Sequence, residues 1–148
     1  MKMPPLEKIP EAYSALADER IMIGDGQAKV KSSDGQKVYL VEWDGDIYSA
    51  NDNATYWQGY PGYPIIAVLL LQGRLPCNQE DVIKFKGVDW KKLNAAHKND
   101  YASALGEVLE RLKEQGGDIE RLNKNMALVY QALSQLNLTI KRGRRRTD

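Results

Sequence analysis

From Arg20 to Ala50, apolar and polar residues alternate, and Asp-Gly interrupts the alternation three times, at Asp25-Gly26, Asp34-Gly35 and Asp44-Gly45. Alternation marks a half-buried strand. Asp-Gly suits a two-residue type I′ hairpin turn, because both central residues there need positive φ. The spacing predicts four antiparallel strands at about 20–24, 27–32, 37–43 and 46–50. With each Asp-Gly in the turn positions, Ile23 faces Ala28, Val30 faces Tyr39, and Val41 faces both Ala28 and Tyr48. One face then gathers Ile21, Ile23, Ala28, Val30, Tyr39, Val41, Trp43 and Tyr48. The other carries Met22, Lys29, Lys31, Val38, Leu40, Glu42, Ile47 and Ser49. A slip of one residue would mix the two sets, so three separate turns agree on one sheet.

Outside this stretch the period is helical. Leu6, Ile9, Tyr13 and Leu16 recur at three and four, with Pro10 in the first turn. Gly62-Tyr63-Pro64 opens a short apolar helix that runs through Gln72, where Gly73 supplies a left-handed stop. The residues from Val82 to Phe85 read as a fifth strand. Asp89 caps a helix from Trp90 to about Lys98, and Asn99 or Asp100 caps the next. In that helix Tyr101, Leu105, Val108 and Leu112 form a stripe. After the Gly116-Gly117 break and the Asp118 cap, Ile119, Leu122, Met126, Val129, Leu133 and Leu136 repeat in a heptad seam. The two-glycine link makes these last helices antiparallel neighbours. The seam can pack on the chain's own body or on a second copy.

The resulting expectation is an α+β fold, with a four-stranded antiparallel meander packed against helices and a C-terminal helical hairpin. The body spans 1–98. The hairpin spans 99–140 and packs on the body or on a second subunit, and a basic tail covers 141–148.

Composition narrows the classes. With 148 residues, 43% of them hydrophobic and 28% charged, the chain has the make-up of one globular domain. The longest apolar run, Ile65 to Leu71, is far short of the roughly 20 residues that span a bilayer. The start has no apolar leader, so the expected location is cytoplasmic, without a membrane partner. The net charge of +1 hides an asymmetry: Lys141, Arg142, Arg144, Arg145 and Arg146 stand against Asp148 in the last eight residues. Subtracting these from 21 cations and 20 anions leaves 16 against 19, so the rest of the chain carries −3.

Candidate chemistry is sparse. Cys77 and His97 are single residues of their kinds, which excludes an internal disulfide and multi-histidine metal chemistry. Cys77 has no cationic neighbour in sequence to activate it. Asp44, Asp46 and Asp52 lack the spacing of a calcium loop. Gly24-Asp25-Gly26 precedes no helix and so is no phosphate loop. No cofactor or metal is expected.

Two features remain. Seven of the twelve aromatic residues lie between Tyr39 and Tyr63. The loop from Asn51 to Tyr63 joins amides to aromatics, which suits a planar ligand or an interface. Its candidate residues are Asp52, Tyr56, Trp57 and Tyr60. The arginine-rich tail suits salt-sensitive binding to phosphates.

Three functional readings follow. The first is a non-enzymatic module that self-associates into a homo-oligomer through Leu122, Met126, Val129 and Leu133 or through the mixed sheet face. The second is a nucleic-acid-associated protein that uses Lys141, Arg142, Arg144, Arg145 and Arg146. The third is a small-ligand binder or enzyme that uses the Asn51–Tyr63 loop.

Overall fold

The three Asp-Gly corners fold the chain back and forth as expected. In the computed structural model, which describes residues 1–144, they join β1 (Ile21–Ile23), β2 (Gln27–Lys31), β3 (Val38–Asp44) and β4 (Ile47–Ala50) into an antiparallel meander. Ile23 pairs with Ala28, Val30 with Tyr39 and Ala28 with Val41, the predicted partners. The turns themselves differ from type I′. Positive φ falls on Gly26, Gly35 and Gly45, at 74, 75 and 57°, and on none of the three aspartates. At the third corner Gly45 and Asp46 fill the turn, so Val41 pairs with Ala50 and Trp43 with Tyr48, not Val41 with Tyr48. The indole of Trp43 stacks on the Tyr48 ring at 6.1 Å in this register. A shift of two leaves every side chain on its predicted face.

Ala28, Val30, Val41, Tyr48 and Ala50 are buried on the inner face. Helix α2 (Tyr63–Leu71) covers it, touching β1, β3 and β4, and helix α1 (Lys8–Ala17) packs on α2 from the other side. Every residue of α2 from Pro64 to Leu70 is buried, which explains a helix with no polar face.

The expected strand at Val82–Phe85 is corrected. Gln79–Ile83 forms helix α3, capped by Asn78, whose side chain accepts from the Glu80 amide. Val82 and Phe85, three apart, both enter the core while Ile83 is 57% exposed. The local period is that of a helix. Helices α4 (Trp90–Ala96), α5 (Tyr101–Glu114) and α6 (Ile119–Gln135) follow. Asp89, Asp100 and Asp118 cap them by accepting the amides of Lys92, Ser103 and Arg121. Leu122, Met126, Val129 and Leu133 are buried in the core that also holds Ile9, Tyr13 and Ile65. Nearby, Tyr130 Oη donates to the Pro4 carbonyl at 2.7 Å.

The sheet has five strands, not four. Its last strand, β5 (Thr139–Arg142), pairs parallel to β4 and takes in residues expected to lie in the hairpin and tail. Leu138 is buried and Ile140 packs on the core, which brings the chain alongside the open edge of β4. There the Thr139 amide donates to the Asp46 carbonyl and the Gly143 amide to the Ala50 carbonyl. Among the described residues, no helix is long and apolar enough to cross a membrane.

Candidate functional site

A cleft of about 220 Å³ opens where α1, the β2–β3 hairpin, the loop after β4 and the start of α4 meet. Short-range geometry holds its walls. Ser33 Oγ donates to Asp89 Oδ1 at 3.3 Å and accepts from the Lys91 amide at 3.2 Å, tying the hairpin to α4. Trp90 Nε1 donates to Ser14 Oγ at 2.7 Å, and Ser14 Oγ donates to the Phe85 carbonyl at 2.6 Å. Tyr39 and Tyr63 meet edge to face at 6.3 Å.

The floor is charged although it lies deep in the chain. Glu11 is 5% exposed and Asp52 is 4% exposed. Glu11 is fully provided for: Asn94 Nδ2 donates to Oε1 at 3.1 Å, and Lys8 Nζ lies 3.4 Å from Oε2. Burial pushes the Glu11 carboxyl above its usual range, against the pull of Lys8. Burial is the largest influence on Lys8 and opposes its charge, but Glu11, Tyr101 and Tyr60 together outweigh it and leave the ammonium above its ordinary pKa. Lys8 Nζ also sits 4.8 Å from the centre of the Tyr101 ring.

Asp52 is built differently. Its Oδ2 accepts the Thr55 amide at 3.1 Å. Its Oδ1 is buried and has no hydrogen-bond partner. Burial pushes this carboxyl up too, while the Thr55 hydrogen bonds and the Lys8 charge pull it back. Gly62 is part of the arrangement, since a Cβ there would fall on Asp52 Oδ2. The Gly62 amide donates instead to Thr55 Oγ1 at 3.0 Å. A buried acceptor without a donor costs about 1–3 kcal/mol, more when charged. The fold bears that cost in a residue that also lines the cleft.

Of the loop residues singled out in the sequence, Asp52 reaches the cleft. Tyr56, Trp57 and Tyr60 do not line it. Tyr56 and Trp57 lie on the π-helical turn Ala54–Gln58, where Arg142 of β5 sits over their rings at 5.0 and 5.9 Å. Lys2 Nζ approaches the Tyr60 ring at 5.6 Å. The aromatic loop and the basic tail, separate features in the sequence, thus meet each other. Arg144 pairs with Glu42 at 3.1 Å, and Lys141 lies opposite Ser49 in the sheet. Arg145 and Arg146 lie outside the described residues.

Sequence reasoning missed Lys8, Glu11, Lys37, Tyr39 and Asn94 as site residues. The available signal was a charged pair, Lys8 and Glu11, three apart and flanking Ile9 on the buried stripe of α1. Among the described residues, no three His, Cys, Asp or Glu side chains form a group that could hold a metal ion.

Neither a curated protein nor a solved structure matches this chain. A family model does match, over residues 1–139, a stretch that holds every residue lining the cleft. The chain therefore belongs to the family described as Uncharacterised conserved protein UCP014422.

Proposed function

We propose that this protein binds a small polar molecule in the cleft between α1, the β2–β3 hairpin and α4. The observation that carries the reading is Asp52, a carboxylate 4% exposed whose Oδ1 lacks a donor on the cleft wall. Such an atom calls for an explanation, and a bound ligand or water beside it is one. The lining supports the same view, since Asn53, Asn94 and Asn99 share it with Tyr39, Tyr63 and Tyr101. Convergent polar groups among aromatic walls are the usual make-up of a ligand site. The test is native mass spectrometry of the purified full chain, followed by a thermal-shift screen of small polar metabolites. A retained mass or a raised midpoint that disappears in Asp52→Asn supports the reading. Hits that survive in Asp52→Asn place binding elsewhere and reject it.

A second reading, self-association, draws on the outer sheet face. Met22 is 70% and Ile47 42% exposed there. A second copy laid against this face would cover both. Sedimentation equilibrium at micromolar concentration checks it: a monomer ends the idea, while a dimer abolished by Met22→Glu supports it. Nucleic-acid binding by the tail draws less support, because Arg142 and Arg144 already engage the chain's own aromatic rings and Glu42. Steeply salt-dependent binding to mixed DNA or RNA, lost on deletion of 141–148, would restore it.

A further inference from the structure

Resting on the cleft reading above, we propose that residues 139–144 are a strap that sets the shape of the cleft, by gripping the chain on both sides of residues 52–54. Those residues, Asp52, Asn53 and Ala54, line the cleft. Strand β5 packs on β4 and on the π-helical turn Ala54–Gln58. Upstream of the lining residues, the Gly143 amide donates to the Ala50 carbonyl at 2.7 Å. Asn51 is strung between β3 and the strap: its Oδ1 accepts the Leu40 amide at 2.9 Å, and its Nδ2 donates to the Arg144 carbonyl at 3.3 Å. Downstream, Arg142 sits over the rings of Tyr56 and Trp57. The bonds of Asp52 to the Thr55 amide and of the Gly62 amide to Thr55 Oγ1 join loop residues to one another. They fix the loop's internal form, while the Asn51 and Gly143 bonds tie that form to the sheet. The strap thus acts on Asp52 through its neighbour Asn51.

Gly143 makes the close approach possible. A Cβ there would lie 2.5 Å from the Ala50 carbonyl carbon and 2.7 Å from the Asn51 nitrogen. Both are backbone atoms, which cannot swing aside as the end of a long side chain would. Any other residue at 143 has to lift the strap away from the end of β4. The strap is also separable from the core. Leu138 is buried and Ile140 packs on the core, whereas Lys141, Arg142 and Arg144 are exposed. From Lys141 onward it is a sheet edge with few buried contacts, and such a segment opens at less cost than the whole fold. When it opens, the Ala50 carbonyl and the Asn51 amide group lose their partners, and the Tyr56 and Trp57 rings lose their cation. Both grips on residues 52–54 are then released together.

The experiment is residue-resolved amide hydrogen exchange on the full chain, compared with Gly143→Val and with the double variant Arg142→Ala, Arg144→Ala. The reporters are the Thr55 amide, bonded to Asp52 Oδ2, and the Gly62 amide, bonded to Thr55 Oγ1 at the far end of the loop. Amides inside α2 and α5 report opening of the whole fold. Valine favours strands, so its effect at 143 reads the clash rather than a loss of propensity. In Gly143→Val the loop amides should exchange about tenfold faster or more, and those of α2 and α5 should change by a smaller factor. The double variant removes exposed side-chain contacts and keeps the backbone bonds, so its loop amides should exchange about threefold faster. It reads out even if Gly143→Val folds poorly. Loop exchange unchanged in both variants overturns the strap, and so does a rise shared equally by α2 and α5. A second arm titrates each metabolite that raised the wild-type midpoint. Its affinity should fall in step with the faster loop exchange, and full affinity in a Gly143→Val chain with an open loop overturns the strap's hold on the cleft. A blank metabolite screen removes the cleft reading, and loop exchange alone then decides the strap.

Discussion

Leu122 and Met126 on α6 are as deeply buried as Glu11 and Asp52 at the cleft floor, but the two regions end in opposite states. Along α6 every buried side chain is apolar and belongs to the apolar core, with α1 and α5 as the neighbouring helices. Nothing is left to bind, and burial converts directly into stability at about 25 cal/mol per Å². At the cleft floor, burial works against the charged groups, and Asn94 and Lys8 give both Glu11 oxygens a partner yet offset its burial only in part. Asp52 keeps one oxygen without a partner. The difference separates a region that holds the fold from one that the fold has to hold.

The sharpest way to break this comparison is to delete packing from the seam. Leu122→Ala should cost about 2–5 kcal/mol through lost burial and the cavity left behind. Urea unfolding monitored by circular dichroism measures it, and a loss below 1 kcal/mol would mean that the seam is not core. The same protein, where folded, should keep its cleft affinity.

The second prediction is the pH behaviour of the floor, where the sign is opposite to that of most paired carboxylates. Burial raises the folded pKa of both Asp52 and Glu11. Each then holds its proton in the folded chain at a pH where the unfolded chain has lost it. Their contribution to stability is complete below about pH 4 and declines as pH climbs through the folded values. Asp34 behaves the other way: the Gln36 amide and the Ser32 hydroxyl hold it down to about 2, so its share is lost only as pH falls toward that value. Asp52→Asn should therefore flatten the fall in urea midpoint as pH rises above about 4. An unchanged slope would show that Asp52 does not carry the strain assigned to the floor.

The smallest expected effect lies between the two regions. Arg142→Ala removes a cation held over Tyr56 and Trp57, worth about 0.5–1 kcal/mol at an exposed site. Trp57 emission should change with it. A loss of several kcal/mol would mean that β5 supports the loop carrying Asp52 far more than this contact implies.

Much of the scaffold was legible because its causes are local. Gly26, Gly35 and Gly45 turn the chain, and Asp89, Asp100 and Asp118 start helices, through contacts within a few residues. Where the cause was distant, the pattern misled. Val82-Ile83-Lys84-Phe85 has the composition of a strand, but Asn78 and the core positions of Val82 and Phe85 make it helical. Of the candidate loop residues, Asp52 belongs to the cleft because Thr55 and Gly62 turn it inward, while Arg142 covers Tyr56 and Trp57 on another surface.

By itself the sequence determined the meander, the two faces of the sheet and the helix starts, since alternation, glycine φ and capping act over a few residues. Only the tertiary structure decided that residues 139–142 become a fifth strand and that Glu11, Lys37, Asp52 and Asn94 share one cleft. Those neighbours are brought together by burial of the core, a force without direction that leaves no periodic trace in the residues it assembles.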